Sequence, residues 1–178
     1  NKGVGAPDPG FLEGRCAACD KAGAVLIFDE VITGFRIGMG GAQAKYDVRP
    51  DITCFGKVIG GGLPIGAIGG SRAVMENLSP LGKVFHAGTL AGNPLATAAG
   101  LSALNELTQD VYMELGARAR QLATLLRDAC TSAGITAQFP VVGTLVGAFF
   151  GNRVPTNFDE AKQTDEKMYA KFFHAMLN

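Results

Sequence analysis

The 178-residue sequence has no tryptophan, only three tyrosines and two histidines, and no excess of charge of either sign. Its 16 Lys and Arg are balanced by 16 Asp and Glu, so the formal net charge is zero. We therefore expect no basic surface of the kind that binds nucleic acid or an acidic membrane. The two histidines, His86 and His174, lie far apart in the sequence, which argues against a metal site.

Long hydrophobic runs are also missing. The apolar runs, such as 24–28, are far shorter than the roughly 20 residues that a membrane span requires, and no export signal opens the sequence. Apolar residues nevertheless make up 47% of the chain and charged residues 18%, a composition typical of folded proteins. The four cysteines are too few and too scattered for a disulfide scaffold, and we expect Cys16 and Cys19 to be reduced thiols that pack on a helix face.

Glycine is abundant, with 25 residues, about twice the usual ~7%. Eleven of them fall within the 37 residues 34–70 and follow no repeat or linker pattern. Folded proteins concentrate glycine in this way where the backbone passes close to a ligand or adopts positive φ. This stretch is therefore the first candidate for a binding site.

Periodicity and capping residues predict an α/β part followed by an α+β part, which we assign to domains at 1–108 and 109–178. The first strand is expected to be buried on both faces of a mostly parallel sheet. A capping box at Asn157 and Glu160 predicts one last helix that continues to the chain end. The predicted helices are 10–22, 71–78, 93–107, 111–133 and 157–178, and the predicted strands are 24–28, 52–55, 65–68, 135–139 and 144–150.

The predicted elements at both ends of the sequence are incomplete. The last helix has no stop signal before Asn178, and a polar stretch without a strand precedes the first helix. A parallel sheet of three strands would also leave wide unpaired edges. We therefore expect the sequence to be a section of a longer protein.

Asp29 and Lys57 are the candidate chemical groups, because each comes at the end of a predicted strand, where open parallel sheets bind ligands. A buried carboxylate needs a cationic partner, and an amine between glycines has room for a covalent adduct. Pyridoxal phosphate requires both groups: a lysine binds its aldehyde and an acid pairs with its ring nitrogen. Gly88 and Thr89, just before a helix start, are suited to its phosphate.

Simpler interpretations of the same residues stay open. Asp29 could pair with Arg36 or Arg72, Lys57 could be a solvated loop residue, and Thr89 could only shape a turn. A nucleotide phosphate loop is excluded around Lys57, because Asp51 stands where the first glycine is required and Val58 where Ser or Thr is required.

Five motifs together resemble the class III pyridoxal-phosphate aminotransferases, over essentially the whole chain. Within the family, the similarity is greatest to the aminomutase branch, which moves an amino group within one substrate molecule. His86 departs from that branch, which commonly has Gln there, and is similar to other class III members. The motifs are Phe28-Asp-Glu-Val-Ile-Thr-Gly-Phe-Arg36, Gly40-Gly-Ala-Gln43, Pro50-Asp51, Gly56-Lys-Val-Ile-Gly-Gly-Gly-Leu-Pro64 and Ala87-Gly-Thr-Leu-Ala-Gly-Asn-Pro94.

The resemblance implies a fold type I pyridoxal-phosphate enzyme: part of the large, mostly parallel-sheet domain, followed by part of a smaller α+β C-terminal domain. It implies that Lys57 holds the cofactor covalently and moves protons, that Asp29 pairs with the ring nitrogen and that Val31 packs on a ring face. The cofactor would alternate between pyridoxal and pyridoxamine phosphate. Thr89, with Gly88, would contact the phosphate across a homodimer interface.

The resemblance also carries expectations about the whole protein. Complete family members are well over twice this length, and their other phosphate loop, ring-stacking aromatic residue and gating segment precede the part that this chain resembles. We expect a small-molecule substrate, no nucleic-acid or membrane partner, and a cytoplasmic or plastid-stroma location. Two alternatives remain, a class III aminotransferase with two separate substrates and a non-catalytic domain that has kept only the fold.

Overall fold

The structure, a computed structural model, describes residues 3–177, which form two compact units. One unit is Gly10–Tyr112, and the other combines residues 3–9 with residues 113–177. The assignment of 1–108 and 109–178 to two family domains stays a prediction. Among residues 3–177, no helix combines the length and the apolar character needed to cross a membrane.

The Gly10–Tyr112 unit contains a three-stranded sheet and four helices. Its elements are α1 (Phe11–Ala22), β1 (Ile27–Asp29), α2 (Gly41–Tyr46), β2 (Ile52–Gly56), a 3-10 turn (Lys57–Gly60), β3 (Gly66–Gly70), α3 (Arg72–Met75) and α4 (Pro94–Glu106).

The other unit contains short strand pairs beside a long helix. Its elements are α5 (Gln109–Ser132), β4 (Ala137–Gln138), β5 (Val141–Val142), β6 (Leu145–Val146), β7 (Phe149–Phe150), α6 (Phe158–Ala161) and α7 (Glu166–Met176). The first turn of α5 belongs to the Gly10–Tyr112 unit.

The sheet of the first unit has the order β1-β2-β3, with β2 in the centre. β1 and β2 are parallel, and Asp29 is opposite Cys54. β3 is antiparallel to β2, with Gly66 opposite Gly56, so the prediction of parallel pairing is wrong for this strand. The short connection through the 3-10 turn explains the difference, because a parallel return needs a crossover of a dozen or more residues.

β1 is shorter and more exposed than predicted. It begins at Ile27 rather than at residue 24, and Ile27 is 55% exposed. The expectation that it is buried on both faces is wrong, because Ile27 and Asp29 are exposed and Phe28 between them is only half-buried. The faces of a strand are buried only by elements that pack on them, and apolar composition alone does not report whether such elements are present.

Two glycines without a Cβ, Gly100 and Gly61, allow helix α4 to pack closely against the 3-10 turn. A Cβ on Gly100 would overlap the carbonyl oxygen of Ile59, and a Cβ on Gly61 would overlap Ala99. Asn93 starts α4 as predicted, since its Oδ1 accepts from the amides of Leu95 (2.9 Å) and Ala96 (3.3 Å). Close packing on α4 therefore fixes the turn that begins with Lys57.

The core of the other unit lies between α5, α7 and the short strands. Ala123, Ala137, Phe139 and Phe150 form its buried centre. The predicted strand 144–150 is divided into β6 and β7, and β5 was not predicted. Gly147 lies at the division, and its amide donates to the carbonyl of Pro140 at 2.9 Å.

The predicted last helix consists of two helices. Asn157 caps α6 through the amide of Glu160, at 2.9 Å, but α6 ends at Ala161. Asp165 then caps α7 through the amide of Met168, at 2.9 Å. A second capping residue inside the predicted helix explains the break, since an N-cap has non-helical backbone angles. The prediction that the helix continues to Asn178 extends outside the described residues.

Candidate active site at the ends of β1 and β2

Asp29 and Lys57 lie at the same edge of the sheet. Asp29 is the last residue of β1 and Lys57 follows the last residue of β2. The two strands are parallel, and Lys57 is three residues beyond Cys54, the partner of Asp29. Three residues of extended chain span about 10 Å, which is the approximate offset of the two backbone positions along the strands.

Lys57 is exposed and borders a cavity of about 380 Å³. This volume is within the range of small-molecule pockets. The backbone of Lys57 is left-handed, with φ of 49°, a conformation that costs a non-glycine residue about 1–2 kcal/mol. The lining residues are Arg36, Lys57, Val58, Gly61, Gly62, Leu63 and Ala103.

Val31 lies beside the residue that precedes Lys57. A Cβ built on Gly56 would be 3.2 Å from a Val31 methyl group, so the valine side chain packs directly against the backbone of Gly56 at the end of β2. The amide of Val31 donates to Oδ1 of Asp29 at 3.0 Å. The structure thus brings Asp29, Val31 and Lys57 to one edge of the sheet.

The environment of Asp29 differs from the expectation of a buried carboxylate. Asp29 is exposed, and the buried carboxylate is its neighbour Glu30, which is 1% exposed. The alternative that Asp29 pairs with Arg72 is wrong, because Arg72 forms a 3.4 Å ion pair with Glu76. Side chains alternate along a strand, so only one of two consecutive residues can point into the interior.

Glu30 accepts four hydrogen bonds from neutral donors. Oε2 accepts from the hydroxyl of Thr33 at 2.8 Å and the amide of Ala42 at 2.7 Å. Oε1 accepts from the amide and from the side-chain Nε2 of Gln43, both at 3.1 Å. These bonds satisfy the carboxylate without a cation. The expectation that a buried acid needs a cationic partner therefore does not hold for Glu30.

Gly88 and Thr89 lie in an exposed segment just before α4. Neither is among the described residues that line the cavity beside Lys57. His86 is exposed in the same segment. The structure therefore brings Asp29, Val31 and Lys57 to one edge of the sheet, although only Lys57 lines the cavity, and it leaves Gly88 and Thr89 facing solvent.

Arg36 and Tyr112 were not predicted as site residues. Arg36 lines the cavity with Lys57. Tyr112 is buried, and its hydroxyl donates to the carbonyl of Phe35 at 2.8 Å. Phe35 has a left-handed backbone, with φ of 54°, and burial raises the pKa of Tyr112. The motif ending in Arg36 could have indicated the arginine, whereas no local pattern links Tyr112 to Phe35.

Comparison with known proteins extends over nearly the whole chain. Residues 1–176 match the family Aminotransferase class-III. A glutamate-1-semialdehyde 2,1-aminomutase from Desulfosudis oleivorans is 50% identical over 178 residues, which are 99% of this chain and 42% of that protein.

Two solved structures show the same fold. An omega-transaminase from Sphaerobacter thermophilus is 34% identical, with a TM-score of 0.84 over 90% of this chain and 37% of that one. A glutamate-1-semialdehyde aminomutase variant from Pseudomonas aeruginosa PAO1, in complex with PMP, is 28% identical, with a TM-score of 0.80 over 93% of this chain and 39% of that one. The chain spans about two fifths of the length of these proteins. By its sequence and its fold, the chain belongs to the class III aminotransferase family.

Proposed function

We propose that the chain is a section of a pyridoxal-phosphate-dependent aminomutase that converts (S)-glutamate 1-semialdehyde to 5-aminolevulinate in tetrapyrrole (porphyrin) biosynthesis. The observation that carries the proposal is the placement of Asp29 and Lys57 at one edge of a parallel strand pair. The 50% identity to a glutamate-1-semialdehyde aminomutase supports this substrate.

The residues at this edge fit pyridoxal phosphate. Lys57 is exposed and borders a cavity of about 380 Å³, and Asp29 is exposed on the neighbouring strand, opposite Cys54. The complex of the Pseudomonas aeruginosa relative with PMP supports the same cofactor. When bound, the cofactor supplies an electron sink for the negative charge that develops on the substrate carbon.

Each residue has a separate task in this proposal. The Asp29 carboxylate holds a proton on the ring nitrogen, because a nearby negative charge favours the protonated form of a base. Val31 packs against one face of the ring and fixes its plane. Lys57 Nζ would hold the cofactor, and when it is free it would carry protons between carbon atoms as a general base and acid.

The reaction needs no outside amino donor. In the net reaction the aldehyde carbon of the substrate gains an amino group and the neighbouring carbon loses one and becomes a carbonyl, so an amino group moves within one molecule. Oxidation at one carbon is balanced by reduction at the other. The net reaction therefore requires no external oxidant or reductant.

A homodimer is part of the proposal, with Thr89 and Gly88 reaching the cofactor of the partner subunit. Support comes from the exposed segment around them, in which Leu81 is 78%, Phe85 is 82% and Leu95 is 73% exposed. Apolar side chains exposed together are typical of surfaces that a partner covers. We also propose a cytoplasmic location, which the four free cysteines support.

The test uses the full-length enzyme. Borohydride reduction with pyridoxal phosphate should attach the label to Lys57, and glutamate 1-semialdehyde should be converted to 5-aminolevulinate without an added keto acid. Lys45→Ala, which removes an exposed lysine on α2, is the matched control and should keep both properties, whereas Lys57→Ala should lose them. Label on other lysines alone would contradict the proposal.

A class III aminotransferase with two separate substrates is the second candidate. His86 favours it, and so does the 34% identity to the omega-transaminase, which exceeds the 28% identity to the solved aminomutase variant. Strict dependence of turnover on an added keto acid would establish this candidate in place of the aminomutase. Lys57 would be labelled in both cases.

A further inference from the structure

The buried carboxylate of Glu30 joins the two ends of one loop. Thr33 lies near the start of the segment between β1 and α2, and Ala42 and Gln43 lie in the first turn of α2, which closes loop 31–43. All of them donate hydrogen bonds to the same side chain, at 2.7 to 3.1 Å. The conformation of loop 31–43 therefore depends on one acceptor group.

Glycine makes room for this carboxylate. Gly41 has φ of 62°, and a Cβ on it would overlap the Glu30 carboxylate. The main chain of Glu30 is also held at both sides, since its amide donates to Cys54 at 2.9 Å and its carbonyl accepts from Gly34 at 2.8 Å. The main chain of Glu30 is thus bonded to β2 at Cys54, the residue that is also opposite Asp29.

Loop 31–43 carries residues that surround Lys57. Val31 packs on Gly56, immediately before the lysine, and Arg36 lines the cavity beside it. The ring of Phe35 lies 5.8 Å from the ring of Phe55, on the strand that leads to Lys57. A change in the shape of this loop would therefore move groups next to the reactive amine.

We propose that Glu30 is a positioning residue of the active site: its carboxylate holds loop 31–43 in the shape that places Val31, and with it Asp29, against the cofactor ring. The inference rests on the proposed function and deepens it. Glu30 acts through these neighbours and does not touch the cofactor. Its four donors require an acceptor on both oxygens, which a carboxylate supplies and a carboxamide does not.

The test is Glu30→Gln in the full-length holoenzyme. The new amide nitrogen would face donors, and an unsatisfied buried polar group of this kind is costly. We expect the dissociation constant for pyridoxal phosphate to rise about tenfold, and the pH midpoint of the absorption band of the Lys57-bound cofactor to shift. Thr33→Val removes one of the four donors and should shift both quantities in the same direction by a smaller amount.

Two controls separate positioning from general stability. Glu13→Gln makes the same chemical change at an exposed position on α1 and should leave both quantities unchanged. Phe150→Leu weakens the core of the other unit and should lower the melting temperature without moving the absorption midpoint.

The inference is overturned if Glu30→Gln lowers the melting temperature as Phe150→Leu does and leaves the cofactor affinity and the absorption midpoint unchanged. If Glu30→Gln does not fold, the same comparison for Thr33→Val decides. If the unmodified enzyme takes no cofactor at Lys57, the proposed function is wrong. The inference about Glu30, which rests on that function, is then wrong as well.

Discussion

Two consecutive carboxylates have opposite environments in this chain, and this difference determines what each can do. Asp29 is exposed at the end of β1, where it can meet a ligand, while Glu30 is 1% exposed and saturated by neutral donors. The sequence shows only an acidic pair after an apolar run. The direction of the strand side chains separates the exposed acid, for which we propose a role in cofactor binding, from the buried acid, for which we propose a role in positioning the loop.

At the scale of this residue, Asp29→Ala in the full-length enzyme should reduce turnover far more than cofactor occupancy. The covalent bond to Lys57 retains the cofactor, whereas loss of a group that holds a catalytic proton costs roughly a hundredfold or more in rate. Steady-state kinetics and absorption titration with pyridoxal phosphate measure the two effects. Asp128→Ala, at an exposed position on α5, is the control, and near-normal turnover of Asp29→Ala would contradict the assignment.

Glu160 gives a pH-dependent prediction. The hydrogen bond from the backbone amide of Thr156, together with the nearby Arg153, lowers the pKa of Glu160 from its ordinary value of 4.5. A carboxyl group with a lowered folded-state pKa stabilises the fold above its unfolded-state pKa, and this contribution is lost as the pH falls through the folded-state value.

The difference in melting temperature between the wild type and Glu160→Gln should therefore be constant near neutral pH. It should shrink as the pH falls below 4.5, the ordinary value for this group. Thermal unfolding in buffers from neutral to strongly acidic pH measures it. A difference that stays the same over the whole range would show that the ionised form contributes nothing.

At the scale of elements, the contact between α4 and the 3-10 turn is the feature that fixes Lys57. Gly100→Ala would push a methyl group into the carbonyl of Ile59, and we expect a loss of about 1–3 kcal/mol in the free energy of unfolding. Displacement of the turn should also reduce labelling of Lys57. Urea denaturation and borohydride labelling of the full-length enzyme measure the two effects.

Gly14→Ala is the matched control for Gly100→Ala. Gly14 lies inside α1 and a Cβ there would meet no atom within 4 Å among the described residues. The same substitution should therefore stabilise the protein, by about 0.5–1 kcal/mol, because alanine loses less conformational freedom than glycine in a helix. Equal effects at the two positions would show that the packing of α4 on the turn is not tight.

Local signals predicted most of the helix starts. Ser71 caps α3, and Asn93 followed by Pro94 starts α4, as their side chains indicated. Capping depends on a residue and the two or three amides that follow it, so the sequence contains the whole interaction. The same signal at Asn157 located the start of α6 but not its end, because the end depends on the second cap at Asp165.

At the scale of the whole molecule, the chain covers 42% of the Desulfosudis oleivorans relative. We expect the 178-residue polypeptide alone to show no conversion of glutamate 1-semialdehyde and at best weak capture of pyridoxal phosphate, since it corresponds to about two fifths of the relative's length. Parallel assays of this polypeptide and the full-length enzyme check this expectation. Turnover by the polypeptide would show that the site is complete without those parts.

The residue types and their spacing by themselves determined which chemistry this chain can support. An acid and a lysine at the ends of two strands, glycines around the lysine and an asparagine cap before α4 are all visible in the printed sequence. Only the tertiary structure decided that Glu30 and not Asp29 is the buried acid, that β3 is antiparallel to β2, and that Tyr112 supports Phe35. These outcomes depend on contacts between residues that are distant along the chain, and local preferences for backbone conformation carry no information about such contacts.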